Sequence, residues 1–163
     1  MHKLYCEKNE LSLGQLYLLE ICDKRKITQF WNQKLNNKFS IAYLMKIATG
    51  KVKTPSLNFI YSMLEIVSPT DWFYQETEGK KSVLLPKEKY VTDIKKSINY
   101  RKLVKLREDK LLNRFCIENF GERSQHYMVK FMHILSGRYS VSPDTIRELK
   151  ETFPVDDWFI ETR

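Results

Sequence analysis

Glycine and proline are scarce, with five of each among 163 residues. That argues against an all-β fold, which needs many tight turns. Cysteine is scarcer still: Cys6, Cys22 and Cys116 are an odd number with no CxxC spacing. This argues against a disulfide framework or a zinc finger and fits a reducing cytoplasm. No apolar run approaches the ~18 residues a bilayer span requires; Val83-Leu84-Leu85 is typical of the longest. The opening MHKLYCEKNE has no apolar stretch of the secretory kind, so a cytoplasmic chain with no membrane partner is expected. Catalytic signatures are missing as well: there is no glycine-rich phosphate loop, GxSxG, HExxH or paired-carboxylate motif. No enzyme activity and no cofactor are therefore expected. His126 and His133 share a helix face two turns apart but have no third ligand, so no metal site is expected.

What the chain does have is enough apolar mass to fold, 42% hydrophobic and 13% aromatic, which rules out global disorder. Its length allows one large domain or two small ones. It is also basic, at +8, and the excess is concentrated. Positions 80–114 hold twelve Lys or Arg against four acids (Glu88, Asp93, Glu108 and Asp109), which equals the net charge of the whole chain. A run of one sign is more than a solvated face needs, and nucleic acid is the default partner of such a chain.

An internal repeat organises the sequence. LLEICDKRKITQFWNQKLNN, from Leu18, aligns without a gap on LVKLREDKLLNRFCIENFGE, from Leu103, at an offset of 85. Leu18 falls on Leu103, Ile21 on Leu106, Ile27 on Leu112, Phe30 on Phe115 and Leu35 on Phe120. Met45, Ile47 and Gly50 then fall on Met132, Ile134 and Gly137 at offset 87; Asp71-Trp72-Phe73 falls on Asp157-Trp158-Phe159 at offset 86. The offset drifts as turns gain or lose residues. The expected organisation is a first domain over 1–76, a basic linker over 77–91 with Gly79 and Pro86, and a second domain over 92–163.

Within each copy the periodicity is helical. Leu13, Leu16, Tyr17 and Ile21 make one stripe, and 23–26 break it. Thr28 is expected to cap a second helix over 29–35, and Ser40 a third bearing Leu44, Ile47 and Ala48 inward. Gly50 should stop that helix. Pro55-Ser56 opens a fourth over 57–67, with Trp72 packing down as a lid. The second copy reads likewise: Asn113 as cap, helix 115–120, Gly121 as turn, Ser124 as cap, helix 128–135, then Ser142-Pro143 and helix 146–153. Cys22 and Cys116 read as small core residues.

The segment TQFWNQKLNNKFSIAYLMKIATGKVKTPSLNFI resembles the helix-turn-helix of the Cro and lambda-repressor type, also called the xenobiotic-response-element type. Thr28-Gln29, Ser40, Leu44, Ile47, Gly50-Lys51 and Pro55-Ser56-Leu57 carry the likeness. Gly137-Arg138 and SPDTI from Ser142 carry it in the second copy, over roughly 13–75 and 98–160. The resemblance implies two tandem four- to five-helix bundles whose third helices enter the DNA major groove. It implies base contacts from Ile41, Ala42, Tyr43 and Lys46 in the first copy. In the second it implies Gln125, His126, Tyr127, Lys130 and His133, taken as the outward side. Ile41 and Ala42 depart from the hydrogen-bonding residues usual there and can touch only thymine methyls. Gln29 and Arg114 at the starts of the second helices, Asn37 and Lys38 in the turn, and Lys51, Lys53 and Arg138 after the third helices are the expected phosphate contacts.

The expected function is sequence-specific binding of double-stranded DNA by a bacterial or phage transcriptional regulator, nucleoid-associated in the cytoplasm. The chain would act as a single-chain pseudo-dimer on an asymmetric operator. Two alternatives stand beside it. One is an interaction module, antitoxin- or inhibitor-like, whose partner is another protein or a second copy. The other is a sequence-tolerant binder of nucleic acid, RNA included.

Overall fold

The computed structural model describes residues 2–80 and 82–163. Among the described residues every regular element is helical, and two isolated antiparallel bridges, Ser12 to Gln75 and Tyr90 to Ile160, stand in place of a sheet. The all-α class expected from the periodicity holds. The chain divides into two compact units, the first ending at Lys87 and the second running from Glu88 to Arg163. No helix is long and apolar enough to cross a membrane among the described residues.

The first unit contains α1 (Leu13–Asp23), α2 (Ile27–Leu35), α3 (Ile41–Ala48) and α4 (Leu57–Ser62). Ser12 starts α1 through a reciprocal cap. Its hydroxyl accepts from Gln15 N–H at 3.2 Å, and its own N–H donates to Gln15 Oε1 at 2.8 Å. Gln15 is buried, and its side-chain amide also donates to the carbonyls of Ile47 and Val52 at 3.1 and 2.9 Å. One polar residue thus ties the start of α1 to the end of α3, with its own hydrogen bonds made. Leu18, Leu19 and Cys22 from α1, Phe30 and Leu35 from α2, and Leu44, Ile47 and Ala48 from α3 form the core.

After α1 the chain reverses at Arg25, in the left-handed region at φ 57°. Lys26 N–H donates to Ile21 C=O and Arg25 N–H to Cys22 C=O, the pair of bonds of a Schellman ending. That leaves only Lys26 before α2, so α2 begins at Ile27 and Thr28 lies inside it rather than capping it. Asn36 and Asn37 then take the left-handed conformation at φ 50° and 59°, which Asn tolerates better than most side chains. Ser40 caps α3 as expected, accepting from Tyr43 N–H at 3.0 Å, and Gly50 follows the helix at φ 82°. α4 ends at Ser62, short of the expected Val67, because the chain tightens into three-residue turns: Met63 N–H donates to Ile60 C=O and Ile66 N–H to Met63 C=O. Met63, Leu64 and Val67 are nevertheless buried. A 3₁₀ turn, Pro69–Trp72, then drives Trp72 into the core against Phe59, ring centroids 5.5 Å apart.

The second unit contains α5 (Ile98–Glu108), α6 (Leu112–Phe120), α7 (Ser124–Leu135) and α8 (Pro143–Glu148). Ser97 caps α5 by accepting from Tyr100 N–H at 3.2 Å. Lys110 closes α5 as Arg25 closes α1, at φ 59° with Leu111 N–H donating to Leu106 C=O. α6 therefore starts at Leu112, and Asn113 is not its cap. Ser124 is the first helical residue of α7 and not its cap, since the 3₁₀ turn Gly121–Arg123 runs directly into the helix. α8 ends at Glu148, short of the expected 153. Another 3₁₀ turn, Val155–Trp158, buries Trp158 next to Phe153 at 5.7 Å. Leu13 N–H donates to Tyr74 C=O, and Ile98 N–H to Ile160 C=O, so in each unit the returning chain is stitched to the start of its first long helix.

Candidate nucleic-acid interface

α7 spans twelve residues and α3 eight. On α7 the inward stripe is Tyr127, Phe131 and Ile134, all buried. The opposite stripe, one and four residues apart, is Gln125, His126, Val129, Lys130 and His133. Beyond the helix, Gly137 at φ 78° lets the chain fold back, and the N–H groups of Arg138 and Tyr139 both donate to His133 C=O at 2.9 and 3.2 Å. Tyr139 thereby stands edge-on to the His133 ring at 5.0 Å, and Arg138 Nη1 lies 3.5 Å from His133 Nε2. The stripe and Tyr139 line an open groove of about 510 Å³. Its walls offer an amide, two imidazoles, an ammonium and a phenol around the apolar Val129, a set that can donate to and accept from base edges and touch a methyl group.

The structure brings Gln125, His126, Lys130 and His133 together and corrects Tyr127. Tyr127 is 4% exposed, its ring stacks on Phe120 at 4.0 Å, and its hydroxyl donates to Glu148 Oε1 at 2.6 Å. It faces the core because it shares the period of Phe131 and Ile134. Lys130 lies at the groove's edge with Nζ 2.9 Å from Glu148 Oε2 and a side chain only 26% exposed. Burial and the bond to Glu148 push the Tyr127 phenol above its ordinary range, and the same bond, with Lys130, holds the Glu148 carboxyl below its own.

In the first unit the matching face is poorer. Ala42 and Lys46 are exposed, and Ile41 is half-buried. Tyr43 is also half-buried: its hydroxyl accepts from Ser56 N–H at 2.9 Å, and its ring lies between Phe39 and Phe59 at 5.9 and 5.8 Å. Tyr43 thus braces α3 against the start of α4.

All seven candidate phosphate residues are exposed: Gln29, Asn37, Lys38, Lys51 and Lys53 in the first unit, Arg114 and Arg138 in the second. Arg114 is paired along α6 with Glu118 at 2.8 Å, and Lys51 Nζ sits 5.4 Å above the Tyr5 ring. Of the basic stretch, Lys95, Lys96, Arg101, Lys102, Lys105, Arg107 and Lys110 are exposed on the second unit; Lys81 lies outside the described residues. Lys102 Nζ is 5.1 Å from the centres of both the Phe115 and Phe153 rings.

Val129, Tyr139 and Glu148 were not singled out from the sequence. Val129 carried a signal, four residues after Gln125 on the same face. Tyr139 carried none, since its position depends on the fold-back after Gly137. Cys22 and Cys116 are buried free thiols, and burial pushes Cys22 up to about 11 and Cys116 upward, the reverse of what a nucleophile needs. Among the described residues no group of three His, Cys, Asp or Glu could hold a metal. Compared with protein-family models, curated proteins and solved structures, the chain matches none.

Proposed function

We propose that the chain is a sequence-specific DNA-binding transcriptional regulator, built as two tandem helix-turn-helix units of the Cro and lambda-repressor type it resembles. α2 and α3 form the motif in the first unit, and α6 and α7 in the second. The observation that carries this reading is the outward stripe of α7. Four polar side chains, Gln125, His126, Lys130 and His133, converge on one open groove of a helix long enough to lie along a major groove. Joining both units in one chain replaces a weak association by a tethered one. Because α3 and α7 present different faces, the operator is asymmetric, with the more informative half under α7.

Lys51 and Lys53, exposed just after α3, serve as phosphate contacts in this reading. Log K for duplex DNA should fall with log salt by about 0.9 per phosphate neutralised. Lys51→Ala with Lys53→Ala is expected to weaken binding to every sequence alike and to flatten that slope by up to about 1.8. Anisotropy titrations over a salt series measure it, and an unchanged slope would leave both lysines facing solvent only.

A second reading is favoured by one feature of the first unit: Tyr43 is occupied by Ser56, leaving Ile41, Ala42 and Lys46 to present the α3 face. Such a face suits a protein partner. Ile41→Asp separates the two readings. It is expected to abolish DNA binding if α3 enters the groove, because it brings a carboxylate against phosphate. Normal DNA binding with loss of a protein complex would make the first unit an interaction module.

A further inference from the structure

Glu148 is the last residue of α8, yet three groups from the α6–α7 side converge on its carboxylate. Tyr127 Oη donates to Oε1 at 2.6 Å, Lys130 Nζ to Oε2 at 2.9 Å, and Arg123 Nη2 lies 3.5 Å from Oε1. The Arg123 guanidinium is also stacked 5.2 Å over the Tyr127 ring. Arg123 stands in the turn that enters α7, and Lys130 lies midway along the helix at the edge of the groove. A carboxylate set between two such cations takes up positive charge that a phosphate could otherwise meet. In the first unit the α3 and α4 faces meet through Tyr43 and Ser56, with no carboxylate in that contact.

We propose that Glu148 is a specificity-determining residue of the α7 face: it competes with the DNA backbone for Arg123 and Lys130. This rests on the DNA-binding reading above. With both cations held on the protein, nonspecific attraction to phosphate is reduced at α7. Gln125, His126 and His133 are left to decide which duplex is held. The buried Tyr127 hydroxyl fixes the carboxylate in place, so the competition does not depend on a mobile side chain.

Glu148→Gln removes the charge and keeps the shape. Glu151→Gln, at an exposed position three residues on, changes the net charge equally and is the control. Two probes are used with the full-length chain: a random-sequence duplex and a phosphocellulose column. Glu148→Gln is expected to bind the random duplex more tightly than Glu151→Gln, with a log K–log salt slope steeper by about 0.9 for each cation released. It should also leave phosphocellulose at higher salt than Glu151→Gln. Arg123→Gln and Lys130→Gln added to Glu148→Gln should return the slope to that of Glu151→Gln, because the released cations are then gone. Matching slopes and matching elution for the two Glu→Gln variants, or a slope that stays steep in the triple variant, would overturn the proposal. If neither chain bound any duplex while Glu148→Gln still eluted after Glu151→Gln, the DNA-binding reading would fall and the hold of Glu148 on its cations would stand.

Discussion

Gly14→Ala is expected to destabilise the first unit by about 3 kcal/mol, at the upper end of the usual range for overpacking. A Cβ at Gly14 would sit 2.4, 2.5 and 2.7 Å from three ring atoms of Trp72. Trp72 cannot yield easily: it is fully buried, and Phe59 lies edge-on behind it at 5.5 Å. One methyl group must therefore displace the largest side chain in that core. Trp72→Ala would cost about 3–5 kcal/mol by the opposite route, leaving a cavity. The second unit has Asn99 at the matching place in the repeat, buried, with its amide donating to Pro154 C=O at 2.8 Å, so the two cores are closed by different means. Urea unfolding of the full chain measures the effect. Gly14→Ala should lower the midpoint of one transition and leave the other, and an unchanged midpoint would mean that Trp72 moves freely.

The second large effect concerns recognition. Gln125 is exposed in the first turn of α7 and lines the groove. A side-chain amide paired with an adenine edge discriminates by about 1–3 kcal/mol, and Gln125→Ala is expected to relax preference at one or two base pairs by that amount. Stability should be unaffected, because the side chain is not part of the core. Lys130→Ala should change sequence preference less, since its ammonium is bonded to Glu148. Competition titrations with single-base variants of a bound duplex measure both. Equal losses at every position would make Gln125 a backbone contact.

Where the sequence made its structure legible, the physics was local and periodic. The stripe of Leu44, Ile47 and Ala48 marks a buried face, and these residues are buried. The α1 stripe was misplaced, since Leu13, Leu16 and Ile21 are only half-buried and Tyr17 is exposed, while Leu18, Leu19 and Cys22 face the core. Ser40 and Gly50 were readable because a hydroxyl cap and a glycine stop are side-chain chemistry. The α1–α2 and α5–α6 turns were not, because Arg25 and Lys110 take a conformation that usually signals glycine. With no glycine to mark the boundary, each following helix begins a little earlier than its best capping residue suggests. Of the candidate site, Gln125, His126, Lys130 and His133 came from the family resemblance, and they line one groove. Tyr127 was misplaced, although its period with Phe131 already put it inward. Glu148 was invisible because its partners lie 18 to 25 residues away along the chain.

Selection of duplexes from a random-sequence pool by the full chain is the most direct measurement. Sequence-specific binding predicts enrichment of one asymmetric motif. Its more informative half should be lost with Gln125→Ala, and its other half should be rich in A·T pairs where Ile41 and Ala42 meet thymine methyls. Retention of the pool without enrichment, or no retention of duplex DNA at all, would contradict it.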